Sequence, residues 1–383
     1  MPAKFGIVDL FAGPGGLGEG FSCLKVGDHA PFHIGISVEK ETSAHRTLRL
    51  RAFLREHQAQ HGTLPQAFVD FHAGMSDEPV WHEVDAHACA KAEAEARCLE
   101  LGTKDAGEAI DAAITSLRED YDDTILIGGP PCQAYSLVGR ARSKGKVGYV
   151  PEEDVRHYLF REYISVLDRL RPAVFVMENV KGMLSSAVES RLVFEMLMED
   201  LASLGTGKGH QYELRAIHAE DGRASLREAA QPSDFIVRAE RFGVPQRRHR
   251  VIIIGIRTDL ANGASGAEIP LSDVARTVDD VIGNMPMLRS GISRGQDDPD
   301  AWRTVVVDAA RLLANLHGGK ANSQIRGVFR DVAKRLKAGG PAVRSASRLP
   351  VGYGAANDSL LQWLERPGLR RLAQHETRGH MAS

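Results

Sequence analysis

The chain has 383 residues, of which 43% are hydrophobic and 26% charged, with a formal net charge of -2; this is enough apolar material for one large core or for two to three domains. Residues 1–4 lead straight into FGIVDLF without a basic then apolar leader, and no apolar run is long enough to span a bilayer, so neither secretion nor membrane insertion is expected. The near-neutral total argues against a protein that coats nucleic acid, and the 4 cysteines form no CxxC pair and no cluster with the 15 histidines, so no disulfide framework and no metal is expected. Reduced thiols fit a cytoplasmic protein.

Residues 5–10 read as an apolar strand, followed by the glycine turn FAGPGGLGEGF and a helix predicted over 17–24. Gly13, Gly15 and Gly18 satisfy GxGxxG, whose glycines let backbone approach a ligand at a helix N-terminus. That pattern serves a dinucleotide, a nucleoside cofactor or a plain tight turn. The next predicted strand, 32–38, ends at Glu39, and an acid roughly twenty positions after such glycines is where a ribose hydroxyl is usually bound. Loop and acid together favour an adenosine-bearing ligand.

Residues 42–60 read as a helix, 66–71 as a third strand, and the Ala, Glu and Lys-rich stretch 81–120 as two surface helices broken at Gly102 and Gly107. A fourth apolar strand, from residue 125, runs out at Gly128-Gly129-Pro130-Pro131 and delivers Cys132 at its tip. The proline rings fix two φ angles and so restrict where the next side chain points, which suits a nucleophile; a structural cysteine is the alternative. Cys23, Cys89 and Cys98 are expected in helices. Residues 139–148 follow as a loop carrying Arg140, Arg142, Lys144 and Lys146, fit for a phosphate-bearing substrate or simply solvated.

An amphipathic helix over 155–170 stops at Arg171-Pro172, and a fifth strand, 173–177, runs into Glu178-Asn179-Val180. Ligands bind outside the carboxyl ends of strands in an open parallel sheet, where Gly13, Glu39, Cys132 and Glu178 would all gather. Further on come a helix over 192–204, a strand over 212–218, and the turn GVPQRRHR feeding a strand over 251–256. Strand alternation puts Arg248 and Arg250 on one face and Arg247 and His249 on the other. Beyond it the pattern weakens to helices over 277–282, 308–316 and 324–338, and a loop over 345–355.

Four blocks, DLFAGPGGLG at 9–18, GGPPCQAYS at 128–136, ENV at 178–180 and QRRHR at 246–250, resemble in content and order the C5-cytosine DNA methyltransferases, over about the first two thirds of the chain. The resemblance implies an α/β fold with a doubly wound, mostly parallel sheet of the S-adenosylmethionine-dependent methyltransferase (Rossmann-like) type. Residues 1–260 would form the catalytic and cofactor-binding domain, and 261–383 a linker and the start of a truncated target-recognition region. It implies that Phe11, Gly13, Gly15, Gly16 and Pro130 hold S-adenosylmethionine and Glu39 its ribose. Cys132 would attack C6 of a cytosine flipped out of duplex DNA, Glu178 would bond N3 and the exocyclic amine, and Arg248 and Arg250 would steady the O2 side, with the methyl group passing to C5. The expected role is that of a restriction-modification or orphan methylase.

The chain departs from the family's pattern in two places. The acid that the family carries after its third strand is replaced by Met75, with Asp77 as a substitute. The recognition and closing blocks are also missing: IGNMP at 282–286 reads as a linker turn, and HETRGHMAS at the end reads as mid-domain. The expectation is a chain that by itself binds S-adenosylmethionine weakly and methylates DNA slowly or not at all, with the missing portion, in cis or as a second chain, restoring both. An RNA cytosine methyltransferase would use the same catalytic set, and a non-catalytic nucleic-acid-binding homologue would keep the fold. A nicotinamide oxidoreductase would leave Cys132 and the arginines idle.

Overall fold

Strand β1 (Phe5–Leu10) is the axis of the sheet, with Ile7, Val8 and Leu10 all 0% exposed. Both of its faces are covered, so it reads as a continuous apolar run rather than an alternating one. The structure is a computed structural model and describes residues 3–377 apart from 132–158, 189–190, 203, 205–211, 264–267, 273, 293–296, 316–322, 353–358 and 366–368. The chain divides into two compact units, one of residues 1–65 with 80–277, the other of residues 66–79 with 278–383. Among the described residues no helix is long and apolar enough to cross a membrane.

In the first unit β1 leads through α1 (Gly16–Ser22), β2 (Phe32–Glu39) and α2 (Thr42–His61). After α3 (Gln66–His72), which belongs to the other unit, come α4 (Trp81–Val84), α5 (Ala86–Glu95), β3 (Ala96–Cys98), α6 (Lys104–Asp120) and β4 (Asp123–Gly128). Next are α7 (Leu159–Leu170), β5 (Val174–Val180), the short hairpin β6 (Ala187–Val188) and β7 (Arg191–Leu192), and α8 (Val193–Ala202). The strands β8 (Tyr212–Glu220), β9 (Arg223–Glu228), β10 (Ile236–Arg238), β11 (His249–Arg257) and β12 (Glu268–Pro270) complete it.

The sheet order is β12-β9-β8-β11-β5-β4-β1-β2-β3, with β10 beside β11. β1 to β5 pair in parallel, and β11 enters antiparallel between β5 and β8. The chain builds outward from β1 to β3, then returns to lay down β4 on the other side of β1, so the strand order reverses between β1 and β4. This is the switch point at which doubly wound sheets open a binding crevice. Glycine is needed there: a Cβ on Gly128 would lie 2.5 Å from the Leu10 carbonyl oxygen. At the opposite edge Arg257 pairs with Asp123 at 2.8 Å and donates to the Arg171 carbonyl at 3.0 Å, tying β11 to β4 far from the crevice.

The predicted third strand at 66–71 is instead helix α3. Gln66 Nε2 donates to Asp70 Oδ1 at 2.8 Å and the Phe68 and His72 rings lie 4.3 Å apart, both contacts between residues four apart as only a helix allows. The true third strand is Ala96–Cys98, inside the part before Gly102 that was expected to be one surface helix. Gly102, at φ 87°, ends the connection after it, whereas Gly107 lies within α6. Thr103 caps α6 by accepting from the Ala106 amide, and Ala106, Ile110, Ile114 and Leu117 form its buried stripe. Cys98 therefore ends a strand and Cys23 caps the C-terminus of α1; of the three only Cys89 lies within a helix.

In the second unit α9 (Val278–Ile282) precedes α10 (Pro299–Ala314), α11 (Ser323–Ala338) and α12 (Ser359–Leu364). Val307 and Ala310 of α10 pack with Ala333, Phe329 and Leu336 of α11. The buried guanidinium of Arg289 pairs with Asp297 at 2.8 Å and donates to the Ala342 carbonyl, and the Thr377 hydroxyl donates to the Arg289 carbonyl.

Candidate active site at the carboxyl edge of the sheet

The loop between β1 and α1 winds through left-handed backbone at Phe11 (φ 53°), Gly13 (φ 57°) and Gly15 (φ 88°), the last capping α1. At a non-glycine residue this conformation costs roughly 1–2 kcal/mol, and Phe11 is held in it by a ring packed against the main core. The Ala12 amide donates to the Val38 carbonyl at 3.1 Å, fastening the loop to β2. Glu39, where β2 ends, accepts from the Gly13 amide at 2.9 Å through Oε2 and from the Glu41 amide at 2.7 Å through Oε1. A Cβ on Gly15 would meet Leu48 Cδ1 at 2.9 Å, so that side is filled by α2; a Cβ on Gly13 or Gly16 would meet nothing within 4 Å. The loop thus leaves an open cradle on one side, walled by a fixed carboxylate.

Across β1, the Gly129 amide donates to the Leu10 carbonyl at 3.3 Å as the chain leaves β4. The Asn179 side-chain amide, 5% exposed, donates to the Pro130 carbonyl at 3.1 Å and accepts from the Val180 amide at 2.9 Å, so β5 holds the diproline turn directly. Glu178, beside it, reaches toward that turn: a Cβ on Gly129 would lie 3.3 Å from Glu178 Oε2. Antiparallel pairing of β11 with β5 sets Ile252 opposite Glu178 and Arg250 opposite Val180. Arg250 Nε donates to Glu178 Oε1 at 2.8 Å, and Arg248 Nη2 lies 3.9 Å from the same oxygen. His249 instead pairs with Glu240 at 2.7 Å, as the alternation of side chains required.

The structure therefore brings Phe11, Gly13, Gly15, Gly16 and Glu39 together on one side of the switch point. It brings Pro130, Glu178, Arg248 and Arg250 together on the other. Cys132 and the basic loop at 139–148 lie outside the described residues.

Three residues escaped the sequence reading. Asn179 was only the middle letter of ENV until its bond to Pro130 appeared. Glu100 follows the true third strand by two residues and pairs with Lys40 at 2.6 Å, next to Glu39; it stands where the sequence reading had sought an acid near Met75 and Asp77. Met75 and Asp77 belong to the second unit instead. Asp9 is 1% exposed on β1, in register with the equally buried Ser37 of β2, and neither its carboxyl oxygens nor the Ser37 hydroxyl has a hydrogen-bond partner among the described residues. Burial first, then the nearby charges of Glu95 and Glu39, push the Asp9 carboxyl well above the usual carboxylate range. It lies on β1, the strand that leads into the glycine loop.

With this geometry in hand, the comparisons with known proteins are specific. Residues 81–294 match the family described as C-5 cytosine-specific DNA methylase, a span that holds the diproline turn, Glu178 and the arginine strand. The type II methyltransferase M.Bpa9945I of Bacillus paralicheniformis is 31% identical over 308 residues, 74% of this chain and 61% of that protein. The DNA (cytosine-5-)-methyltransferase M.ApeKI of Aeropyrum pernix is 34% identical over 143 residues, 37% of this chain and 29% of its own length. The type II methyltransferase M.AquIA of Picosynechococcus sp. is 28% identical over 251 residues, 66% of this chain and 71% of that protein. The chain thus spans less than two thirds of the length of the first two.

Proposed function

The chain belongs to the C-5 cytosine-specific DNA methylase family, and from that premise we propose that it transfers a methyl group from S-adenosylmethionine to C5 of a cytosine extruded from duplex DNA, through a covalent bond from Cys132 to C6. The observation that supports this reading most is the seat of Glu178: a half-buried carboxylate beside Gly129, three residues before Cys132, with a guanidinium already on it.

The open side of the glycine loop fits a nucleoside cofactor. Gly13 and Gly16 leave room for backbone to approach it, and Phe11 and Pro130 are the further residues we assign to it. Each carboxylate oxygen of Glu39 has a second acceptor position, so it can take ribose hydroxyls without releasing the amides of Gly13 or Glu41. Glu100 is the acid we assign to the adenine amine. When bound, the cofactor supplies an electrophilic methyl group.

On the base side, the Cys132 thiolate forms an S–C6 bond and the C5=C6 electron pair is drawn toward C5 and N3. An ionised Glu178 cannot donate to N3, so it must carry or share a proton there. Arg250 Nε donates to Glu178 Oε1 at 2.8 Å, so an arriving base must move the guanidinium toward its O2 side. C5 then takes the methyl group, its proton passes to water, and the C6–S bond breaks to return the thiolate. Stacked neighbours in a duplex would block both ring faces, so the base must leave the helix. The helical second unit is the part we assign to target recognition, and free thiols at Cys23, Cys89 and Cys98 suit the cytoplasm.

Incubation with methyl-labelled cofactor and either duplex DNA or transfer RNA tests this reading. Label recovered as 5-methylcytosine from the DNA is expected, and Cys132→Ser should abolish it while keeping cofactor affinity. Label in the RNA alone would make this an RNA methyltransferase, and cofactor binding with label in neither would make it a non-catalytic homologue.

A further inference from the structure

We propose that His57 Nδ1, His61 Nε2 and Asp85 Oδ2 form a binding site for a first-row divalent cation of the zinc type, clipping the end of α2 to the start of α5. The three ligand atoms lie within 4.8 Å of one another. His57 Nδ1 is 2.7 Å and His61 Nε2 3.2 Å from the same carboxylate oxygen, and the two rings are 4.3 Å apart. Zinc bonds of about 2.0–2.1 Å at tetrahedral angles put ligand atoms roughly 3.3 Å apart, so His61 already has the right spacing and His57 needs to withdraw by a few tenths of an ångström.

The sequence builds this site by two independent devices. Histidines four apart, the second of them in the last turn of the 20-residue α2, come to one face near the helix's negative end, where a cation is favoured. Asp85 arrives as the N-cap of α5: its Oδ1 accepts from the Ala88 amide at 2.9 Å, leaving Oδ2 to face the imidazoles. The Phe53 ring stacks on His57 at 6.1 Å and fixes its orientation, as outer contacts of metal ligands do. Asp85 and His57 are 9% and 13% exposed and His61 is 47% exposed, so two ligands are enclosed and the remaining coordination position opens to water beside His61. Two imidazoles and one carboxylate select zinc, nickel or copper over magnesium, which prefers oxygen.

The test is calorimetric titration of the full chain, stripped with a chelator, with zinc chloride and separately with magnesium chloride near pH 7.5. One equivalent of zinc should bind with a rise in thermal midpoint, and magnesium should give neither. His61→Ala removes an exposed ligand at a helix end, where folding is not at risk, and should weaken zinc binding at least tenfold and erase the thermal shift. His87→Ala, an exposed histidine on α5 outside the cluster, should change affinity less than twofold. Cobalt in place of zinc should give the visible bands of a four-coordinate site in the wild type and lose them in His61→Ala. No stoichiometric zinc in the wild type, or equal affinity in His61→Ala, overturns the proposal.

Discussion

Glu39 and Glu178 both stand where a parallel strand ends at the carboxyl edge of one sheet, yet they are held by opposite means. Glu39 accepts from two backbone amides, those of Gly13 and Glu41, which are fixed once the strand and loop have formed. Glu178 accepts from the side chain of Arg250, delivered by a strand 72 residues later. Main-chain donors make a preformed site; a side-chain cation makes one that can rearrange when a substrate competes for it. On the proposed reading, the half of the crevice at Glu39 is built to be ready for a cofactor, and the half at Glu178 to exchange its partners when a base arrives.

The largest effect expected from this contrast is at Glu178. Glu178→Gln keeps the shape but cannot carry the proton that N3 requires, so the single-turnover rate constant should fall by about a hundredfold or more, the scale of lost acid-base catalysis. Cofactor affinity should stay within twofold by calorimetry. An unchanged rate constant with weakened cofactor binding would erase the division between the halves.

Glu39→Ala should do the reverse. Because its proposed contacts to ribose would be the same before and during the reaction, the cofactor dissociation constant should rise by about tenfold, while the rate constant at saturating cofactor holds. Equal cofactor affinity in the variant would remove Glu39 from the pocket.

The smallest effect concerns Asp9, which underlies the ready half without touching its ligand. Its folded pKa is raised, so the folded chain keeps a proton that the unfolded chain loses. The stability this gives is complete below the unfolded value, near 4, and drains away as pH rises through the folded value. Asp9→Asn, neutral at every pH, should therefore gain in thermal midpoint over the wild type as pH rises above the unfolded value, by a few degrees, the scale of roughly 1 kcal/mol in a domain of this size. A difference between the two chains that does not move with pH would mean that Asp9 titrates like a surface acid.

Much of this edge could be read from the sequence, because strands buried on both faces appear as unbroken apolar runs and the turns that leave them are marked by glycine and proline. β1, β4, β5 and β11 were visible for that reason, and alternation along QRRHR placed Arg248 and Arg250 on the Glu178 face. The third strand was not visible: Ala-Arg-Cys is too short to show a period and sits in a stretch rich in helix formers, so the acid that follows it was sought near Met75 instead of at Glu100. β9, Arg-Ala-Ser-Leu-Arg-Glu, has too few apolar residues to show a run, and β10 (Ile-Val-Arg) and β12 (Glu-Ile-Pro) are only 3 residues long. The bond from Asn179 to Pro130, and the meeting of His57 and His61 with Asp85, depend on register between distant segments and leave no local trace.

The most direct measurement is a trap. Duplex DNA in which cytosine is replaced by 5-fluorocytosine can accept the thiolate and the methyl group but cannot lose fluorine as a cation, so the C6–S bond should persist. Prolonged incubation with cofactor should give a protein–DNA complex that survives denaturation, carries one methyl group per base, and maps after digestion to the peptide containing Cys132. A cofactor-bound chain that forms no such complex, or one whose complex persists in Cys132→Ser, would contradict covalent catalysis by this residue.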